Sequence, residues 1–287
     1  MIQVGHSPDA DDLFMYYAIV FGWVDSELKQ QFHNIALDIQ TLNEKTLQGE
    51  LDVSAISFGL YPLVRLDYAL LRTGVSFGNG YGPKLIKKRN TRLKSNFKVA
   101  LSGAHTSNAL LFKIAYPQAR IVYKNFLDIE NAVLSGEVDA GVLIHESILC
   151  FDQSLEVERE MWEIWCDLAK EELPLPLGGM ALRRSIPLNR AIDIEKTLIK
   201  AVKVALVGQK ILSKMLIQKG IIRVDSNQLK TYLSLYANQD SIELSEKQIQ
   251  GINKMFELGF KAGIYDHLIE DCRDYFIPQE YEKLRYS

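Results

Sequence analysis

The sequence predicts an α/β chain folded as two lobes with a cleft between them. Three observations predict it. Strand and helix signals alternate through the first two thirds of the chain, a pattern repeats at a fixed spacing, and the repeated strands have the continuous apolar character of parallel strands covered on both faces. The repeat sets Leu47-Gln48-Gly49-Glu50-Leu51-Asp52 against Leu134-Ser135-Gly136-Glu137-Val138-Asp139, 87 residues apart throughout. In each copy a helix ends at a Gly suited to a left-handed cap, and a turn feeds a strand of small and apolar residues. Upstream, Gln3-Val4-Gly5-His6-Ser7 and Lys98-Val99-Ala100-Leu101-Ser102 each run from strand into loop and helix start.

Each element follows from local chemistry. Ile2–Val4 reads as a short strand, and Ser7-Pro8 opens a helix with Ser as N-cap and Pro in the first position. Asp9, Asp11 and Asp12 complement the helix dipole. The apolar run from Leu13 to Val20 is too continuous for an exposed helix. Ala36–Thr41 alternates Leu37 and Ile39 with Asp38 and Gln40, which predicts the next strand. Phe77–Leu93 and Leu173–Leu182 are the expected lobe crossings. Helices follow over Ala191–Lys219, after Asp225-Ser226 and from Ser245, where Gln248 completes a capping box. The expected division is a discontinuous first lobe, 1–93 plus 183–287, and a second lobe, 94–182.

Composition narrows the function classes. A formal charge of −3 offers no footprint for nucleic acid. The basic run Lys84, Lys87, Lys88, Arg89, Arg92 and Lys94 reads as a solvated linker or lobe edge. Cys150, Cys166 and Cys272 are far apart, without disulfide or zinc spacing, and are expected as reduced, mostly buried thiols. No charged and apolar leader precedes the first strand, and no run reaches the roughly 18 apolar residues of a membrane span. If the mature chain starts at Met1, the expected location is the cytoplasm. Nucleotide-loop, zinc-protease and serine-hydrolase motifs are absent.

Ligands of open α/β sheets sit beyond the carboxyl ends of the strands. That rule selects His6-Ser7-Pro8, Ser57-Phe58-Gly59, His105-Thr106-Ser107-Asn108 and His145-Glu146-Ser147. The first helix begins with three acids and should repel an anion. The second begins Thr106-Ser107-Asn108 with no acid before Lys113, so its N–H groups and hydroxyls suit a carboxylate or phosphate, or the two hydroxyls only cap the helix. His145, where a buried strand emerges, is the best candidate for a general base. His6 and His105 occupy similar loops and remain alternatives, while His33 and His267 lie in polar, exposed contexts.

Taken together, Ser7-Pro8-Asp9-Ala10-Asp11-Asp12, Thr41-Leu42-Asn43, Ser54-Ala55-Ile56-Ser57, Gly103-Ala104-His105-Thr106-Ser107, Ile144-His145-Glu146 and Leu173-Pro174-Leu175-Pro176-Leu177-Gly178-Gly179 resemble the 1,4-dihydroxy-6-naphthoate synthase family of the futalosine route to menaquinone. The resemblance runs from Gln3 into the C-terminal helices, including Leu235-Tyr236-Ala237-Asn238. It implies a periplasmic-binding-protein-like (type II) fold with a hinge and interlobe cleft. It also implies a lyase that converts cyclic dehypoxanthine futalosine to the dihydroxynaphthoate and a three-carbon fragment, without metal or organic cofactor. By the same resemblance His145 is the proton acceptor, and Asn43, Ala55, Ile56, Ser57, Thr106 and Ser107 contact a small carboxylate substrate. One departure stands out: many family members read Ser-Pro-Cys-Pro-Asn-Asp in the first loop, so Asp9 replaces a cysteine. The sibling chorismate dehydratase usually carries an Asn-Ser-x-Pro first loop, which is absent. A transport-type binding protein without catalysis would be expected to carry a secretory signal.

Overall fold

The computed structural model describes residues 1–222 and 224–280. The chain starts with β1 (Ile2–His6), α1 (Ala10–Val20), β2 (Phe32–Ala36), α2 (Ile39–Leu47) and β3 (Val53–Ser57). A short helix α3 (Tyr61–Val64) leads to β4 (Tyr68–Leu70) and β5 (Ser76–Gly78). The chain then enters β6 (Lys84–Lys88), β7 (Lys98–Leu101), α4 (Ser107–Ala115), β8 (Arg120–Tyr123), α5 (Ile129–Ser135), β9 (Ala140–Leu143), β10 (Leu155–Glu160) and α6 (Met161–Ala169). It returns through β11 (Leu175–Arg183) and ends in α7 (Leu188–Val207), α8 (Gln209–Gln218), α9 (Ser226–Tyr236) and α10 (Glu246–Lys261).

Two sheets result. The first has the order β2-β1-β3-β11-β4, with β5 also on β11, and the second has the order β10-β6-β9-β7-β8. The repeat read in the sequence is visible in the pairing. β1 lies parallel to both β2 and β3, and β7 lies parallel to both β8 and β9. In each sheet an antiparallel strand from elsewhere in the chain then covers the edge: β11 on β3, and β6 on β9. The repeated glycines both adopt the left-handed conformation, Gly49 at φ 69 and Gly136 at φ 79.

These pairings revise the expected lobe limits. β6 lies before residue 94 yet belongs to the second sheet, because Lys84–Lys87 pair with Leu143–Ala140. β11 lies before residue 183 yet belongs to the first, because Gly178–Leu182 pair with Ser57–Val53. Residues 281–287 of the expected first lobe lie outside the described residues. The basic run is correspondingly a strand edge rather than a linker: Lys87 sits against Glu158 at 2.6 Å and Glu156 at 3.6 Å on β10.

Three element boundaries also move. The strand expected over Ala36–Thr41 lies upstream, and Asp38 instead caps α2 by accepting from Gln40 and Thr41 N–H. Helix α1 starts after Asp9 rather than at Pro8, because the Ser7 N–H turns back to the Asp12 carboxylate at 2.7 Å. The long segment expected over Ala191–Lys219 is two helices meeting at Gly208, where a Cβ would approach the Trp23 ring at 3.2 Å. The capping boxes at Asp225 and at Ser245 with Gln248 begin α9 and α10. Of the three thiols only Cys272 is buried, and all are free.

One apolar cluster runs from α1 and β3 through α4 and α6 to α9 and α10, so the C-terminal helices pack on both sheets' core. Within it Trp165 is fully buried and donates its indole N–H to the Leu173 carbonyl at 2.7 Å, which fixes the approach to β11. A Cβ at Gly49 or Gly136 would meet only the far end of a flexible side chain, Arg183 at 3.9 Å or Lys88 at 3.4 Å, so the backbone conformation is the main penalty for a side chain there. Gly49→Ala and Gly136→Ala should each lower unfolding stability by about 1–2 kcal/mol. Equal shifts in chemical denaturation would show that the two repeats use their glycines alike.

Candidate active site

The parallel strands of both sheets direct their carboxyl ends into one gap, which holds a cavity. Ala55, Ile56 and Ser57 at the end of β3 form one wall, and Leu177, Gly178 and Gly179 of β11 continue it. Thr106, Ser107 and Asn108 at the start of α4 face them from the second sheet, together with Ile144 and His145 beyond β9. Six of the seven residues selected from the sequence therefore meet at this cavity.

The seventh, Asn43, does not line it. Fully buried on α2, Asn43 accepts from the Ser57 N–H at 3.0 Å and donates to the Ser57 hydroxyl at 3.1 Å. Its amide is engaged by Ser57 and by the His105 carbonyl at 3.4 Å, so Asn43 stands behind the wall and holds Ser57 in it. His6 is likewise withdrawn: it is buried, with Nδ1 2.8 Å from the Ser7 carbonyl and its ring against Tyr16. His105 sits outside the cavity lining, where burial and Lys113 lower its proton affinity.

His145 occupies a constrained position. It opens a one-turn 3-10 segment after β9 and takes a left-handed φ of 55, which is uncommon for a residue with a side chain. The Phe126 ring packs edge-on against the imidazole at 5.0 Å. Nε2 lies 3.0 Å from Asp9 Oδ2, an ion-pair distance without the alignment of a straight hydrogen bond. Burial alone would depress the imidazole, but Asp9, then Asp11 and Glu146, raise it to about 9.

The acids of the first helix start are consequently not a plain repulsive patch. Asp11 lies buried on the cavity wall, and its Oδ1 has no hydrogen-bond partner. Burial first, and Asp12 second, push its carboxyl well above the ordinary carboxylate range. Glu146 is also raised, by burial and then by Asp9, although its carboxylate accepts the Ala10 N–H at 2.9 Å. The expected anion-repelling surface thus carries less charge than its composition implies, and it supplies the partner of His145.

At the second helix start both hydroxyls are occupied. Thr106 caps α4 by accepting the Ala109 N–H at 3.1 Å and donates to the Gly103 carbonyl. The Ser107 hydroxyl accepts the Gly59 N–H at 3.1 Å and donates to the Leu177 carbonyl at 2.7 Å, both on the opposite side of the cleft. What α4 offers an anion is its leading N–H groups rather than these hydroxyls. Beside them Asn108 also lines the cavity, and its Oδ1, an acceptor, is buried without a hydrogen-bond partner.

Sequence reasoning placed Asn108 and Asp11 at the cleft without giving either side chain a role, and it missed Tyr232 and Tyr236 as wall residues. The two tyrosines lie one helical turn apart on α9, with burial pushing both phenols up so that they stay neutral. Their spacing on an amphipathic helix is the signal that was present, but it reads equally as core. Among the described residues no group of three or more His, Cys, Asp or Glu side chains is gathered to hold a metal ion.

The fold and cleft define a two-lobed protein of the periplasmic-binding-protein-like class. The alkanesulfonate-binding protein SsuA from Xanthomonas axonopodis pv. citri shares this architecture with a TM-score of 0.68 at 12% identity, over 95% of this chain and 96% of that one. A crystal structure of a protein from Archaeoglobus fulgidus is more similar, with a TM-score of 0.83 at 31% identity over 92% of this chain and 98% of that one. The chain belongs to the menaquinone biosynthesis family, whose description matches residues 2–261. Two relatives named 1,4-dihydroxy-6-naphthoate synthase agree with that assignment. The one from Thermus thermophilus is 33% identical over 67% of this chain and 70% of its own length. The one from Streptomyces coelicolor is 27% identical over 94% of this chain and 97% of its own. The family assignment makes the chain an enzyme of menaquinone biosynthesis, and no helix among the described residues is long and apolar enough to cross a membrane.

The cross-cleft contact at Gly59 gives a direct test of closure. A Cβ there would stand 3.0 Å from Ser107 Cα and 3.1 Å from the Ser107 nitrogen. Gly59→Ala should therefore hold the two walls apart, raising KM several-fold while leaving the melting temperature almost unchanged. Steady-state kinetics beside a thermal melt would separate that outcome from general destabilisation.

Proposed function

We propose that this chain is a 1,4-dihydroxy-6-naphthoate synthase, a carbon–carbon lyase that cleaves cyclic dehypoxanthine futalosine into the dihydroxynaphthoate and a three-carbon fragment. The observation that carries the reading is His145 on the cavity wall, with Nε2 held toward Asp9 and the ring packed edge-on by Phe126. Related proteins of that name and the shared family support it. The cavity chemistry is compatible with the substrate class. Ile39, Ala55, Leu177, Tyr232 and Tyr236 offer apolar and aromatic surface for a fused ring system, while the leading N–H groups of α4 offer donors for its carboxylate.

In this reading the substrate carboxylate seats against the Ser107 and Asn108 end of the cavity, and Ser57, held by Asn43, lies along the ring. His145 removes a proton next to the bond that breaks, and formation of the aromatic ring drives the cleavage. The residues of the chain supply the base, the orientation and the exclusion of water. The substrate is a small carboxylate, the reaction needs no metal or organic cofactor, and the site of action is the cytoplasm.

The test is a product assay. Purified protein incubated with the cyclic futalosine derivative should yield the naphthoate by chromatography and mass spectrometry, and chorismate should remain unchanged. Binding without conversion would favour a non-catalytic binding protein, and dehydration of chorismate would favour the sibling enzyme. His145→Ala should bind the product as the parent does yet lose about 10²–10⁴-fold in kcat.

A further inference from the structure

The family reading provides a base but no partner for it, and the first loop of this chain departs from the common family pattern where that partner would stand. Asp9 is buried and forms the N-cap position of α1, yet its side chain makes no capping bond to the helix. Its carboxylate is turned instead toward His145, reaching from the first sheet's side of the cleft to a residue carried by the second. Nε2 faces Asp9, which leaves Nδ1 as the ring nitrogen available to a ligand in the cavity. The Phe126 ring and the left-handed backbone at His145 fix the imidazole plane. A second cross-cleft contact, from the Ala10 N–H to Glu146, lies beside the first and occupies that carboxylate.

We propose that Asp9 is a positioning residue for His145, supplied across the cleft, so that closure of the lobes assembles an imidazole–carboxylate pair and aims Nδ1 at the substrate. The proposal rests on the reading of His145 as the base. The step it serves is a proton transfer: Nδ1 takes the substrate proton while Nε2–H stays on the ring, and Asp9 balances the imidazolium that forms. No electron or group leaves the pair. The groups facing His145 are Asp9 and Asp11 from the first loop and α1, Glu146 from its own turn, and Tyr232 from α9, whose phenol feels the same acids. Asp9 is the carboxylate in contact with the ring and, after burial, the largest influence on it, holding the imidazole at about 9.

The experiment follows the His145 imidazole directly by NMR in histidine-labelled full-length protein, with the resonance assigned by its loss in His145→Gln. In the parent protein it should titrate near 9, and in Asp9→Asn its midpoint should fall by more than one pH unit. The pH profile of kcat should move with it, its rising limb shifting to lower pH and its plateau dropping about tenfold or more as the base weakens. A plateau comparison is required, because at neutral pH the weaker base is also less protonated. Asp9→Cys, which places in the loop the residue common in the family, should behave as Asp9→Asn does and serves if the asparagine variant fails to fold. An unchanged His145 midpoint in a folded Asp9 variant would overturn the proposal. Full turnover by His145→Gln would instead remove the base itself, and with it the reading on which the proposal stands.

Discussion

The Ser107 hydroxyl is the contact on which the closed cleft depends. It begins α4 in the second lobe, yet it accepts from the Gly59 N–H and donates to the Leu177 carbonyl on the other side. One side chain thereby joins the turn after β3 to the strand that pairs with β3, using both hydrogen-bonding capacities of a hydroxyl. Asn43 reinforces the same seam. It holds Ser57 and reaches the His105 carbonyl across the cleft at 3.4 Å. The cavity walls are positioned by these bonds.

Charge is distributed against the same frame. Three acids at the start of α1 would be costly to bury as three carboxylates, and burial moves the proton affinity of Asp11 and Asp12 upward. Asp9 has the His145 imidazole at ion-pair distance, which places a counter-charge beside a buried carboxylate. The lobe asymmetry visible in the sequence is therefore real but has a different meaning. The acidic side supplies the counter-charge of His145, and the acid-free side presents the leading N–H groups of α4.

Much of this was legible in the sequence where local chemistry decides structure. The paired Leu-x-Gly-Glu motifs located both β-α-β repeats, and Ser245 with Gln248 located α10. Strand ends gave the cavity because ligands of such sheets gather there. The failures were non-local or competitive. Nothing in Lys84–Lys88 or Leu175–Arg183 states which sheet each will join, since that follows from register with β9 and β3. Ser7 was a sound N-cap by type, but the Asp12 carboxylate took its N–H. Asn43 belonged to the right neighbourhood, but sequence has no means of separating a residue that touches a ligand from one that holds such a residue. Tyr232 and Tyr236 reach the site from α9 only through tertiary packing.

The return of β11 to the first sheet also has a consequence for the order in which the protein can form. Every strand of the second sheet, from β6 to β10, is contiguous in the chain, so that sheet can assemble from nearby partners alone. The first sheet cannot. β3 has its parallel neighbour β1 early, but its other edge stays unpaired until the intervening lobe has been made and β11 emerges. On a ribosome the later half would then be complete while the earlier half still displayed an open apolar strand edge, the kind of surface that recruits chaperones or other nascent chains. The inserted lobe is thus both the bearer of His145 and the delay that governs when its opposite wall is finished.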